Sequence, residues 1–168
     1  MGYSTTFSGA FTLTPCPKTE TIILLRSLEG VSNRDDLEEC LNVPEAGAII
    51  TTLGPMPDSY NQWELTKDCQ HLEWDGGEKF YHYDAWLQWL IDYVLTPQGI
   101  TIAGTVEYAG EEISDRGILT IEAGQVVKQQ VDLLGTDVTE LRAFKQFVLE
   151  SRWGETLLAQ WERKRHAD

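Results

Sequence analysis

Four carboxylates within nine residues, Glu107, Glu111, Glu112 and Asp115 in VEYAGEEISDRG, are the strongest polar constellation in this sequence. Oxygen ligands at that density suit a hard divalent cation, and two of them could divide acid and base work in a small metal-assisted hydrolase. The spacing is not that of an EF-hand loop, and Arg116 brings a counter-charge from inside the group. A solvated acidic loop is the competing reading. Cys69, His71 and Glu73 alternate, so a strand over 69–74 would put them on one face. Cysteine and histidine there supply two zinc ligands where a structural site needs four, and neither Cys16 nor Cys40 sits in a paired motif. His82 could serve as a general base, yet no nucleophile or orienting group accompanies it in sequence. Packing on a polar face is its plainer role.

Phosphate chemistry is not signalled. Neither G-x-G-x-x-G nor G-x-x-x-x-G-K-[ST] occurs, and Asp75-Gly76-Gly77-Glu78 places acid where a phosphate would rest. The residues therefore imply no cofactor and no catalytic set. Aromatic side chains offer binding surface instead. Trp63 adjoins an irregular stretch, Trp89 lies off the main helical stripe, and Trp161 neighbours a basic chain end. These three are the candidate partner-binding anchors, since tryptophan is enriched at interface hot spots. Trp74 and Trp86 read as core.

Charge narrows the partner. The 168 residues carry a formal net charge of −14. The excess acid lies in residues 31–124, while the first thirty residues balance and 151–168 lean basic. Such a field repels phosphate backbones, so direct nucleic-acid binding is not expected. Solubility alone explains an acidic surface; the sharper readings are a dock for a basic protein or a mimic of nucleic acid. With 42% hydrophobic residues the chain can bury a core without disulfides or metal. No signal peptide and no 18-residue apolar run are visible, which leads to an expected cytoplasmic setting with reduced cysteines.

These residues need elements to hold them. Residues 3–13 alternate as a strand, with Tyr3, Thr5, Phe7, Phe11 and Leu13 on one face and Gly9 marking a bulge or a close backbone approach. Pro17 and Gly30 bracket a helix at about 18–29. Residues 31–60 are irregular, with a short acidic helix near Arg34–Leu41 and then repeated Pro and Gly. A hairpin is predicted over 61–66 and 69–74, with Trp63 and Leu65 on one face and Leu72 and Trp74 on another. The Asp75–Glu78 turn opens the aromatic helix, where Tyr83, Trp86, Leu87, Leu90 and Val94 face inward and Asp84, Gln88 and Asp92 face water. A strand from Ile100 to Tyr108 follows, then a hairpin of Gly117–Glu122 and Gln125–Val131. Asp137 and Glu140 open a last helix with Leu141, Phe144 and Val148, interrupted at Gly154 and ending at Arg163-Lys164-Arg165.

The first six elements give a βαββαβ, ferredoxin-like order, hence an α+β fold: an antiparallel sheet with helices on one face, plus an extra hairpin strand and helix. The expected organisation is a core at 1–135 with an irregular insertion at 31–60, and a helical extension at 136–168 packed on it. Phe147, Leu158 and Trp161 beside the basic end could form an arm that meets the acidic middle of a second copy, making a homodimer.

The run WDGGEKFYHYDAWLQWLIDYVLTPQGITIAGTVEYAGEE, followed by SDRGILTIEAGQVV, resembles a family of small uncharacterised bacterial and phage proteins. Members carry a W-(D/N)-G-x-EK turn before an aromatic helix, then G-x-(V/I)-x-(W/Y)-x-G-E and a hairpin. The likeness covers about residues 3–131, and Tyr108 takes the aromatic place usually held by Trp. It implies a shared fold and a phage or mobile-element origin, and no activity. Together these readings describe a non-enzymatic, acidic protein that binds or regulates another protein.

Overall fold

Two glycines at a close approach of neighbouring backbones, Gly9 and Gly104, shape the sheet. The computed structural model describes residues 2–41, 53–112 and 114–131. Within it β1 (Thr5–Ser8) and β2 (Phe11–Thr14) both pair antiparallel with β5 (Thr101–Gly110). The single strand expected over 3–13 is thus two. Ser8 faces Glu107 and Phe11 faces Gly104, so the offset is the same on both sides of the break and no extra residue is inserted. The interruption is a close backbone approach rather than a bulge. Gly9 and Gly104 hold φ of +110° and +138°, and a Cβ on either would stand 2.8 or 2.9 Å from a carbonyl oxygen of the facing strand. Only glycine takes that conformation without strain.

Helix α1 (Thr19–Ser27) buries Thr21, Leu24 and Leu25, and α2 (Arg34–Leu41) follows. Strands β3 (Trp63–Leu65) and β4 (His71–Trp74) form the first hairpin, and β6 (Arg116–Glu122) and β7 (Gln125–Gln130) the second. The described sheet has seven strands, ordered β3-β4-β2-β5-β6-β7 with β1 also on β5, and every pairing is antiparallel. The fold is α+β.

Register decides which residues meet. Directly opposed residues share a face, so the pairs Trp63–Trp74, Leu65–Leu72, Phe11–Leu72, Leu13–Ile102, Phe7–Tyr108 and Val106–Leu119 define one inner, apolar surface. This corrects the expectation that Trp63/Leu65 and Leu72/Trp74 point to different faces. The hairpin loop is longer than Thr66-Lys67-Asp68: it runs on through Cys69, at φ 59°, before His71 begins the strand. Thr6, Thr12, Thr14, Thr101, Ala103, Thr105 and Glu107 occupy the other surface and are exposed.

The aromatic helix α3 (Tyr83–Leu90) continues as a π-turn, Ile91–Leu95, and a 3₁₀ turn, Thr96–Gln98. Tyr83, Trp86, Leu87, Leu90 and Val94 are all buried, as their three- and four-residue spacing requires. The Tyr83 ring lies 4.8 Å from Phe7 and 5.8 Å from Tyr108, and Trp63 Nε1 donates to the Tyr83 carbonyl at 2.8 Å. At the other edge Val126 N donates to Gln88 Oε1 (2.8 Å) and Gln88 Nε2 to the Gly124 carbonyl (3.1 Å). The helix is therefore fastened to both hairpins.

By contact density the chain divides into two compact units, Met1–Val131 and Asp132–Asp168. The expected C-terminal helix, its arm of Phe147, Leu158 and Trp161, and its basic end lie outside the described residues, as do residues 42–52 of the irregular segment. Among the described residues no helix is long and apolar enough to cross a membrane.

Candidate interaction surface

Trp63 and Trp89 do not form an exposed groove. Trp63 is 1% exposed at the centre of an edge-to-face cluster with Phe7, Phe11 and Phe80, ring centroids 5.5–5.7 Å apart. Trp89 is 4% exposed, packed edge-on to Trp86 at 5.5 Å and tilted onto Tyr93 at 5.7 Å. What covers it comes from the irregular segment: its Nε1 donates to the Gly54 carbonyl at 3.4 Å, and Tyr93 occupies the space a side chain at Gly54 would need. Both rings are core, and Trp161 lies outside the described residues.

The acidic run at the end of β5 is divided among structural duties. Glu107 is exposed on the outer surface of β5, opposite Ser8 and Ile118. Glu111 Oε1 accepts from Ser4 N at 2.9 Å, Asp115 Oδ2 accepts from the Tyr3 hydroxyl at 2.8 Å, and Glu112 N donates to that same hydroxyl at 3.2 Å. The carboxylates thus bind the chain's first residues to the β5–β6 loop. Among the described residues no three His, Cys, Asp or Glu side chains converge as a metal site.

Cys69 and His71 also part company. Cys69 sits in the turn with its N–H on the Thr66 carbonyl (2.9 Å), while His71 Nδ1 lies 3.4 Å from Asp68 Oδ2. The Thr66 hydroxyl and the Gln70 N–H both donate to the Asp68 carboxylate, holding its pKa below the usual aspartate range. His82 is not on the helix at all: it precedes Tyr83 at φ 54° and is exposed. An open hollow of about 600 Å³ lies beside Ser32, Asn33, Leu53, Met56 and Asp58.

A feature that composition hides is the pair Glu64–Glu73, directly opposed on β3 and β4. Like charges face to face across a strand pair cost stability. Partial burial pushes the Glu64 carboxyl above the ordinary glutamate range, and the charges of Glu29, Asp75 and Glu73 push it further, against a smaller effect of Arg26. Arg26 is committed elsewhere, with Nη1 on Glu29 Oε1 (2.9 Å) and Nη2 on the Thr66 carbonyl (2.9 Å). Among the described residues the Arg26–Glu29 ion pair and the His71–Asp68 contact leave Glu64 and Glu73 without a bonded cation. Sequence could have found this pair only with the hairpin register in hand.

Compared with known proteins, the chain matches no family model, no curated protein and no solved structure at a significant level.

Proposed function

We propose that this protein is a non-enzymatic binding or regulatory module whose acidic surface docks another protein through a basic patch. The observation that carries the reading is the in-register Glu64–Glu73 pair, repelling internally and lacking a bonded cation among the described residues. Such a pair is relieved when a partner's lysine or arginine comes between the carboxylates, and complementary charge steers encounter as well as affinity. The three cysteines are free thiols, which suits a reducing cytoplasm. The motif resemblance to bacterial and phage proteins is the ground for a mobile-element origin.

The finer fold reading belongs here too. We take β1 and β2 as one interrupted strand which, with α1, β3, β4, α3 and β5, makes a ferredoxin-like set, with α1 and α3 on one face of the sheet. The run β3-β4-β2-β5 within the strand order, and the burial of Leu24, Leu25, Trp86 and Leu87, support it.

Affinity capture with the full chain tests the functional reading. Wild type should retain a basic protein at low salt and release it as salt rises, and Glu64→Gln/Glu73→Gln should retain less. No retained protein at any ionic strength, or retention indifferent to salt, contradicts it.

A further inference from the structure

Lys128 is out of place by composition. Its partner across the strands is Leu119, which is fully buried, so Lys128 stands on the inner, apolar surface of β7. Among the described residues its ammonium has no carboxylate within ion-pairing reach. It lies instead 4.8 Å over the Tyr83 ring and 4.7 Å over the Tyr108 ring. The two rings are 5.8 Å apart and inclined at 42°, a wedge with its π-faces toward the cation. The negative charges of Asp115 and Asp84 bear on both phenols. The Tyr108 hydroxyl is buried on a side chain only 2% exposed and has no hydrogen-bond partner among the described residues. Lys128 itself is exposed, so it can rotate into solvent without unpacking the core.

Aromatic faces backed by carboxylates select alkylammonium ions. We infer that Tyr83 and Tyr108 form a cage for the alkylammonium group of a partner's lysine, which Lys128 occupies in the free protein and vacates on binding. The inference deepens the basic-partner reading and rests on it for the class of partner. An inward lysine on an edge strand also discourages sheet-to-sheet pairing, but that duty needs charge alone, whereas a cage needs the rings.

The probe is tetramethylammonium, with neutral tert-butanol as its shape control, observed by NMR on the full chain. In wild type the Lys128 ε-methylene resonance should lie upfield from ring current, and tetramethylammonium should return it toward the free-lysine position. Lys128→Met should bind the ion about tenfold more tightly than wild type, because the competing ammonium is gone. Tert-butanol should do neither. An unshifted ε-methylene resonance, no displacement by the ion, or equal response to tert-butanol overturns the cage. If Lys128→Met loses its near-UV spectrum, the wild-type displacement alone decides. Salt-sensitive capture through Glu64 and Glu73 without ammonium displacement removes the cage and leaves the basic-partner reading. Ammonium displacement with no captured partner upholds the cage and removes that reading.

Discussion

Trp63 sits at a junction of the core, packing edge-on against three phenylalanines and donating to the start of α3. Trp63→Ala should cost about 3–5 kcal/mol in denaturant unfolding, as truncation of a buried ring leaves a cavity. A loss below about 1 kcal/mol would mean the cluster is not the organising contact. Tyr83 makes a pH prediction. Burial pushes its phenol well above the usual tyrosine value, with Asp115 and Asp84 adding to the shift. The folded pKa is raised, so the stability it contributes is intact below the unfolded value of about 10 and is lost as pH rises beyond it. Tyr83→Phe should therefore flatten the alkaline fall in stability; an unchanged slope contradicts the assignment. Glu64 follows the same sign at the acid end. Its raised pKa means its stabilising, protonated contribution is present at low pH and lost as pH rises through the carboxylate range. Glu64→Gln should stabilise the protein at neutral pH and bring no gain in acid. A neutral-pH destabilisation would show that the Glu64–Glu73 repulsion is absent.

At the level of elements, α3 was readable because its apolar residues recur at helical spacing, but its start was not, since Lys79–His82 separate the Asp75–Glu78 turn from Tyr83. In that turn Gly76 takes φ +84° and Gly77 N donates to Asp75 Oδ1 at 2.7 Å. Trp89 was misread for a physical reason: its indole N–H meets the Gly54 carbonyl, in a stretch without periodicity, so nothing local marks that ring as buried. The hairpin faces were misread because register depends on loop length, and the loop runs past Asp68 into Cys69. Lys128, Tyr83 and Tyr108 belong to three separate elements, and it takes both the pairing of β5, β6 and β7 and the packing of α3 against them to bring the three together. Gly9 was flagged, but its counterpart Gly104 needed the β2–β5 register to be seen. Gly104→Ala should cost about 1–3 kcal/mol, since alanine at φ +138° is strained and its Cβ meets the Ala10 carbonyl. Thermal unfolding that shifts no more than for an exposed Ala103→Ser control would count against that strain. Both ends of the described sheet are guarded differently: Leu65 N of β3 donates to Glu29 Oε1 at 3.1 Å, and β7 carries Lys128 inward.

For the whole molecule, the Met1–Val131 unit holds a continuous core from Phe11 to Leu119. A chain ending at Val131 should unfold in one cooperative transition, and a broad, non-cooperative melt would show that Asp132–Asp168 is required for the core. The net charge of −14 sets how the molecule meets others. Any acidic protein attracts cations in general, so what matters is whether the attraction is localised at β3 and β4. The most direct measurement is titration calorimetry of a short lysine-rich peptide against three proteins at low and high salt. These are wild type, Glu64→Gln/Glu73→Gln, and a control of equal charge, Asp92→Asn/Glu122→Gln, altered at exposed sites away from the first hairpin. The account predicts salt-sensitive binding that weakens clearly more in the Glu64/Glu73 variant than in the control. Equal loss in both variants, or no binding by wild type at low salt, contradicts it.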